Sequence, residues 1–240
     1  MRADRHSHGW RSRLSNHRSE SRILLLFVTL LAAIFAFAKA PSEVSEGDTL
    51  AVDRLILMAL RSPRNQSVPI GPHWLSEAMI DVTALGSVTV LTIITILAAG
   101  YLLADRKPAI AAFTTAAVGT GALLGTVLKA IYERARPDVV EHLAGTHSAS
   151  FPSGHAMNSA VVYLTLAVLI ARSAQSRSVR RYLISVAIAL TLAVGFSRVY
   201  LGVHWPTDVV AGWGVGGIWA ICCSLVAKSL QSRQRIEKPD

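Results

Sequence analysis

Apolar runs alternate with short polar breaks along most of the chain. Residues 23–38, 87–104, 109–128, 156–171, 182–197 and 209–227 carry no charged side chain. An α-helix rises about 1.5 Å per residue, so about 20 apolar residues cross the roughly 30 Å of bilayer hydrocarbon. The runs 23–38, 156–171 and 182–197 fall a little short of that, and the others come close. The pattern predicts an all-α protein, a six-transmembrane helical bundle. Small residues recur four apart, Gly121 with Gly125 and Gly212 with Gly216. Such pairs let helix backbones approach closely, so they read as packing rather than chemistry.

Residues 41–86 break the pattern. Residues 48–61 read as a helix with several leucines, and Trp74, Leu75, Ala78, Met79, Val82 and Leu85 follow helical spacing. A Pro/Gly-rich link, 62–72, separates them. The expectation is two short amphipathic helices lying on the membrane surface. They serve either as a structural cap or as one wall of an entrance to a site.

Composition supports a membrane domain. The chain is 52% hydrophobic and 16% charged over 240 residues, with a mean hydropathy of +0.42. The net charge of +9 does not imply nucleic acid, because the basic residues sit in clusters between apolar runs and form no basic face interleaved with aromatics. Those clusters set topology instead. Sixteen of the 24 Lys and Arg lie in residues 1–22, at 106–107, at 172–181 and after 227, all on one side of a six-span bundle. That side is expected to be cytoplasmic. Residues 1–22 read as a disordered basic tail and 229–240 as a second cytoplasmic tail. Cys222 and Cys223 are adjacent in an apolar run, have no metal-ligand spacing, and read as reduced, buried side chains.

The chemistry collects in three polar breaks. Lys129 and Arg136-Pro137 form Lys-x6-Arg-Pro; Pro152-Ser153-Gly154-His155 follows; Ser197-Arg198 leads to His204 and Asp208 as Ser-Arg-x5-His-x3-Asp. A histidine and an aspartate four apart lie on one face of a helical turn. A carboxylate on one ring nitrogen fixes the imidazole tautomer and frees the other nitrogen. Arginine offers a planar fork of donors suited to phosphate. Free N–H groups at a helix start bind anions, and glycine admits close approach, which places Ser153 and Gly154 beside the same ligand. Ser153 either donates to phosphate or caps the helix that begins near His155.

In this order and spacing the three stretches closely resemble the signature of the type 2 phosphatidic acid phosphatase family, the lipid phosphate phosphatases, akin to vanadium-dependent haloperoxidases. Every defining position is filled between Lys129 and Asp208, and the helical pattern extends the likeness to 85–228. The resemblance implies an integral membrane phosphatase acting on a lipid monophosphate or diphosphate. It implies His204 as nucleophile through a phosphohistidine, Asp208 orienting its ring, and His155 as acid and then base. Lys129, Arg136, Arg198, Ser153 and Gly154 would hold the phosphate. It implies no metal and no other cofactor. His142 and His147 lie in the loop between the first two motifs without ligand spacing.

The family's six spans also imply that residues 23–38 are retained as a first span, although a basic start, this run and Ala38-Lys39-Ala40 mimic a cleaved secretory signal. The phosphatase domain is then 23–228, with 41–86 outside the cytoplasm. All three motifs fall on that outer face of an inner membrane. The expected partners are the bilayer and a lipid phosphate: a polyprenyl diphosphate, phosphatidylglycerol phosphate, phosphatidate or a lipid A phosphate. The alternative function is a transporter or binding protein that grips an anionic lipid or phosphate through the same cations without hydrolysis.

Overall fold

The computed structural model describes residues 29, 48–132, 134–145, 149–173, 176–233 and 236–237. The basic tail 1–22, the apolar run 23–38 apart from Thr29, and His147 lie outside these residues. The order is α1 (Asp48–Ala59), a hairpin of β1 (Arg61–Ser62) and β2 (Asn65–Pro69), α2 (His73–Ala84), α3 (Val88–Ala104) and α4 (Pro108–Tyr132). Then come α5 (Gly154–Ser159), a π-helical turn (Ala160–Leu164) and α6 (Thr165–Ser173), followed by α7 (Arg177–Tyr200) and α8 (Pro206–Ser232).

Among the described residues, four helices are long and apolar enough to cross a membrane: Pro108–Tyr132, Gly154–Ala171, Arg177–Tyr200 and Pro206–Ser232. A fifth crossing exists if α2 and α3, bent by 48° at their junction, count as one broken span. The six-span expectation is thus supported for four or five crossings, and its first span falls on residues outside the description. The helices outrun the apolar runs that announce them. Lys129 sits in the last turn of α4, Arg198 in the last turn of α7 and Asp208 in the first turn of α8. Helical hydrogen bonding continues into the polar breaks, so Lys129, Arg198 and Asp208 ride on helix ends.

One correction falls in the early segment. Residues 62–72 are not a plain link: β1 and β2 pair antiparallel across a tight turn. Helix α1 is amphipathic in the inverted sense. Leu50, Val52, Leu55 and Ile56 point outward, while Asp53 and Leu57 are fully buried. A helix that turns its leucines outward and a carboxylate inward is packed for lipid on one side and a polar partner on the other.

The bundle closes through small residues. The α5–π–α6 rod packs against α7 and α8, and α3 packs on α4. Its core includes Val162, Leu164, Val168, Ala187 and Ala220. At Gly212 of α8 a Cβ would come within 2.8 Å of the Ser153 carbonyl oxygen and 3.1 Å of the Met157 amide nitrogen. Gly216 meets Ala160 and Met157 in the same way. The four-residue glycine spacing therefore buries backbone against backbone where α8 crosses the start of α5. Indole groups complete the seams: Trp213 Nε1 donates to the Thr191 carbonyl at 2.9 Å, and Trp219 Nε1 to that of Ala117 at 2.9 Å. Of the two cysteines, both free, only Cys223 is buried; Cys222 is exposed, against the expectation for the pair.

A Gly212→Ala substitution drives a methyl into backbone atoms that have no room to yield. It is expected to destabilise by about 1–3 kcal/mol and to lower the thermal midpoint of the detergent-solubilised protein. Gly100→Ala, where a Cβ meets nothing within 4 Å, is the matched control and is expected to leave the midpoint unchanged or slightly raised.

Candidate active site

Helix α8 begins at Pro206, whose ring suits the first helical position. Asp208 is its third residue, and its carboxylate Oδ2 accepts the Trp205 N–H at 3.0 Å, half of a capping box. His204 lies just outside the helix, so the four-residue spacing works through the helix cap rather than along a helical face. The His204 Nδ1 is 3.6 Å from Asp208 Oδ2, too far for a direct hydrogen bond. Ser150 bridges the gap: its hydroxyl is 3.3 Å from Nδ1 and donates to Asp208 Oδ2. A hydroxyl with its one proton on the carboxylate can only accept from the ring. The relay therefore runs Nδ1–H to Ser150 oxygen, and Ser150 O–H to Asp208.

The other ring nitrogen confirms that tautomer. Arg136 Nη1 donates to the Val203 carbonyl at 2.6 Å and lies 3.3 Å from His204 Nε2. A guanidinium has no acceptor, so Nε2 carries a lone pair. Burial above all, assisted by the charges of Arg136 and Arg198 and opposed by Asp208, lowers the His204 pKa to about 4. The ring is neutral at physiological pH.

The cations expected from the motifs surround this imidazole. Arg198 is buried and its Nη1 donates to Thr83 of α2 at 3.1 Å, while its Nε has no partner among the described residues. Lys129 Nζ donates to the Ala149 carbonyl at 3.0 Å. Gly154 faces Lys129: a Cβ there would sit 3.4 Å from Lys129 Cε and 3.7 Å from Nζ. Ser153 Oγ is buried without a hydrogen-bond partner among the described residues and makes no capping bond to α5. Of the two sequence readings of Ser153, capping therefore drops out. His155 lies within electrostatic reach of Arg198, His204, Lys129 and Arg136. It packs on Gly86, where a Cβ would come within 3.3 Å of the His155 Cβ and Cδ2. All eight expected residues thus gather at one end of the bundle. His142 stays apart, its Nε2 donating to the Pro137 carbonyl at 2.7 Å.

Three participants escaped the sequence reading. Ser150 is one. The second is Arg134, inside the six-residue gap of the first motif: Nη1 donates to Asp208 Oδ1 at 2.5 Å and to Thr207 Oγ1 at 2.8 Å, and Nη2 to Asp53 Oδ2 at 2.9 Å. Its guanidinium carbon lies 5.6 Å from the centre of the Trp205 ring. The third is Asp53 of α1, which accepts from the Thr207 N–H at 2.9 Å and the Thr207 hydroxyl at 2.5 Å. Burial raises the Asp53 pKa against the lowering pull of Thr207 and Arg134. One signal was available for Asp53: a carboxylate in mid-helix four residues before Leu57, on the same helical face.

The hairpin and α2 dock on the same end. Arg61, buried, donates from Nη1 to the Tyr200 carbonyl at 3.0 Å, and the Tyr200 hydroxyl donates to the Ile70 carbonyl at 2.7 Å. With Thr83 on Arg198, the segment before α3 packs against one side of the site.

A cationic cup with a neutral imidazole, set at one end of apolar helices, defines a multi-pass membrane protein suited to a tetrahedral oxyanion. The chain belongs to the PAP2 superfamily, whose sequence model matches residues 108–231. It is 39% identical over 152 residues to phosphatidylglycerophosphatase B of Bacillus subtilis, covering 62% of this chain and 74% of that one. It is 34% identical over 89 residues to an undecaprenyl-diphosphatase of Sulfolobus acidocaldarius, 37% of this chain and 38% of the relative. In three dimensions it resembles the crystal structure of a transmembrane PAP2-type phosphatidylglycerolphosphate phosphatase from Bacillus subtilis. The TM-score is 0.68 at 29% identity, over 88% of this chain and 97% of that one. The family resemblance read from the motifs is borne out.

His204 is expected to charge only near pH 4, well below an ordinary imidazole at about 6.5. Because folding depresses this pKa, the stability linked to His204 is complete above about 6.5 and is lost as pH falls from there toward the folded value. NMR titration of histidine-labelled protein, assigned with His204→Gln, checks it; a His204 resonance moving near 6.5 contradicts the buried relay.

Proposed function

We propose that the protein is a membrane lipid phosphatase that transfers a terminal phosphoryl group from a lipid to His204 and then to water. The observation that carries this reading is the His204 ring itself: its proton is held on Nδ1 by Ser150 and Asp208, and its Nε2 lone pair faces the cations.

In the free protein Arg136 occupies Nε2. An arriving phosphate is the stronger acceptor for a guanidinium, so it draws Arg136 away and leaves the lone pair in line with phosphorus. Lys129, Arg136, Arg198, Ser153 Oγ and the Gly154 N–H hold the non-bridging oxygens and stabilise the charge of the transition state. Nε2 bonds to phosphorus as the bond from phosphorus to the lipid oxygen breaks. His155 delivers a proton to that departing oxygen. The phosphohistidine ring is positive, and the Ser150–Asp208 relay lies where its Nδ1–H needs a negative partner. His155, now neutral, takes a proton from water, the resulting hydroxide attacks phosphorus, and the bond to Nε2 breaks to release phosphate. Arg134 and Asp53 touch no reacting atom and act as positioning residues for Asp208.

The substrate is a lipid phosphate. The relatives are named for phosphatidylglycerol phosphate, undecaprenyl diphosphate and lipid A, which supports a phosphorylated membrane lipid. The active site faces away from the cytoplasm of an inner membrane. Supporting this, the opposite end of the bundle carries Lys107, Arg177, Arg180, Lys228 and Arg233.

Phosphate release from a panel of lipid phosphates in detergent tests the reading. His204→Ala is expected to lose about a thousandfold or more in turnover, with the helical circular dichroism and thermal midpoint retained. Binding of the lipid with no phosphate release by the wild type would favour a transporter or binding protein instead. Ser150→Ala is expected to lower kcat by about ten- to a hundredfold with little change in KM, because the relay stabilises a charge that exists only after attack. A Ser150→Ala enzyme with wild-type kcat would show that Asp208 reaches the ring unaided.

A further inference from the structure

Beside the cup lies a second space. A cavity of about 850 Å³ opens between α1 and the stretch that carries the first motif. Its polar lining is Arg54, Arg134, Arg136 and Asp138, with Trp205 and Met58 among its apolar walls. Sites for whole small molecules run from about 300 to 1,000 Å³, so this cavity holds far more than one phosphate. Arg136 is common to both spaces: it lines the cavity, and its Nη1 lies 3.3 Å from His204 Nε2. A phosphoryl group on His204 therefore has the cavity as its neighbour on the Arg136 side.

The cations of the cavity are not equivalent. Arg134 is matched by Asp53 and Asp208. Arg136 is committed to Val203 and the His204 ring. Arg54, exposed on α1, has neither a hydrogen bond nor an ion pair among the described residues. It is the residue next to Asp53, whose three bonds to Arg134 and Thr207 fix α1 against the site. The helix that secures the Asp208 support thus also holds a cation over the cavity. Asp138 is the one carboxylate in the lining and disfavours an anion on its own wall, which leaves the α1 wall for negative charge. The outward leucines of α1, Leu50 and Leu55, border the same cavity, so a lipid tail leaves it directly into the bilayer.

We infer that this cavity binds a second phosphate of the substrate and that Arg54 is a specificity-determining residue for lipids whose head group carries two phosphates. This rests on the phosphatase reading above and narrows it. The second phosphate is either the inner one of a lipid diphosphate or the diester of phosphatidylglycerol phosphate. Lipid monophosphates have nothing to place there.

The test compares wild type, Arg54→Gln and Arg54→Lys in detergent on farnesyl diphosphate, farnesyl monophosphate, phosphatidylglycerol phosphate and phosphatidate. Arg54→Gln is expected to lower kcat/KM on a two-phosphate lipid by about ten- to a hundredfold, the worth of a hydrogen bond to a charged group. The monophosphates stay within about twofold, and Arg54→Lys restores most of the loss because it keeps the charge. A loss on the diphosphate identifies the inner phosphate, and a loss on phosphatidylglycerol phosphate identifies the diester. Equal loss on monophosphates, or no loss on either two-phosphate lipid, overturns the inference. The same lipids are titrated onto His204→Ala protein with and without Arg54→Gln, where binding is read without turnover. If the wild type hydrolyses none of them, the phosphatase reading fails, and this binding difference still decides the role of Arg54.

Discussion

A carboxylate with no exposed surface is the constraint on which the rest depends. Asp208 sits at the start of an apolar helix, and taking an unpaired charge to such a place costs several kcal/mol even after relaxation. The fold answers with Arg134 on one oxygen and with Ser150 and the Trp205 N–H on the other. Each partner arrives from a different part of the chain, so satisfying one charge fixes several elements. Arg134 brings the end of the α4 loop, Ser150 the approach to α5, and Asp53 brings α1 by binding Arg134 and Thr207 together. Breaking such a set by removing one member is far more damaging than never having built it, since the others are left buried and unmatched. The His204 ring inherits its orientation from this arrangement.

Geometry at the backbone level makes the arrangement reachable. Four successive helices run antiparallel, so the end of α4, the start of α5, the end of α7 and the start of α8 meet at one end of the bundle. They meet closely because the crossing of α5 and α8 is glycine on one side, and the Ser153 N–H bonds the Asp208 carbonyl there at 3.0 Å. The Ser153–Gly154 turn and the helix bearing the relay are therefore hydrogen-bonded directly to each other. Small-residue packing, which in a bilayer serves helix association, here also sets the distance between two halves of a site.

Much of this was legible before any coordinates. Lys129, Arg136, Ser153, Gly154, His155, Arg198, His204 and Asp208 stand out because polar residues at fixed spacing interrupt apolar runs, and an ionisable residue at a span end needs a reason. Ser150 did not, since a serine in a loop carries no periodicity and its value arises only from lying between two groups 54 and 58 residues away. Asp53 is 154 residues from Thr207, and no local pattern encodes a pairing of that range. The hairpin was hidden by strands of two and five residues, too short to show alternation.

Charge balance ties these pieces to a ligand class. Asp53 and Asp208 outnumber Arg134 by one negative charge, and Lys129, Arg136 and Arg198 stand opposite, leaving these six groups about two charges positive beside the neutral His204 ring. Burial already lowers the Arg136 pKa, a sign that these cations bear a desolvation cost in the resting protein. A phosphate monoester at neutral pH brings nearly two negative charges, about pKa 6 for the second ionisation. Its binding cancels the excess and converts mutual repulsion among the cations into attraction. A neutral lipid has nothing to offer this field, and a phosphodiester alone supplies half of what it requires. Arg134 also matches the Asp208 charge at 2.5 Å, so less of that charge is left to repel a phosphate drawn by the other cations. The other Asp208 oxygen is turned through Ser150 toward His204 Nδ1, so the carboxylate stands on the far side of the ring from the Nε2 lone pair that faces Arg136.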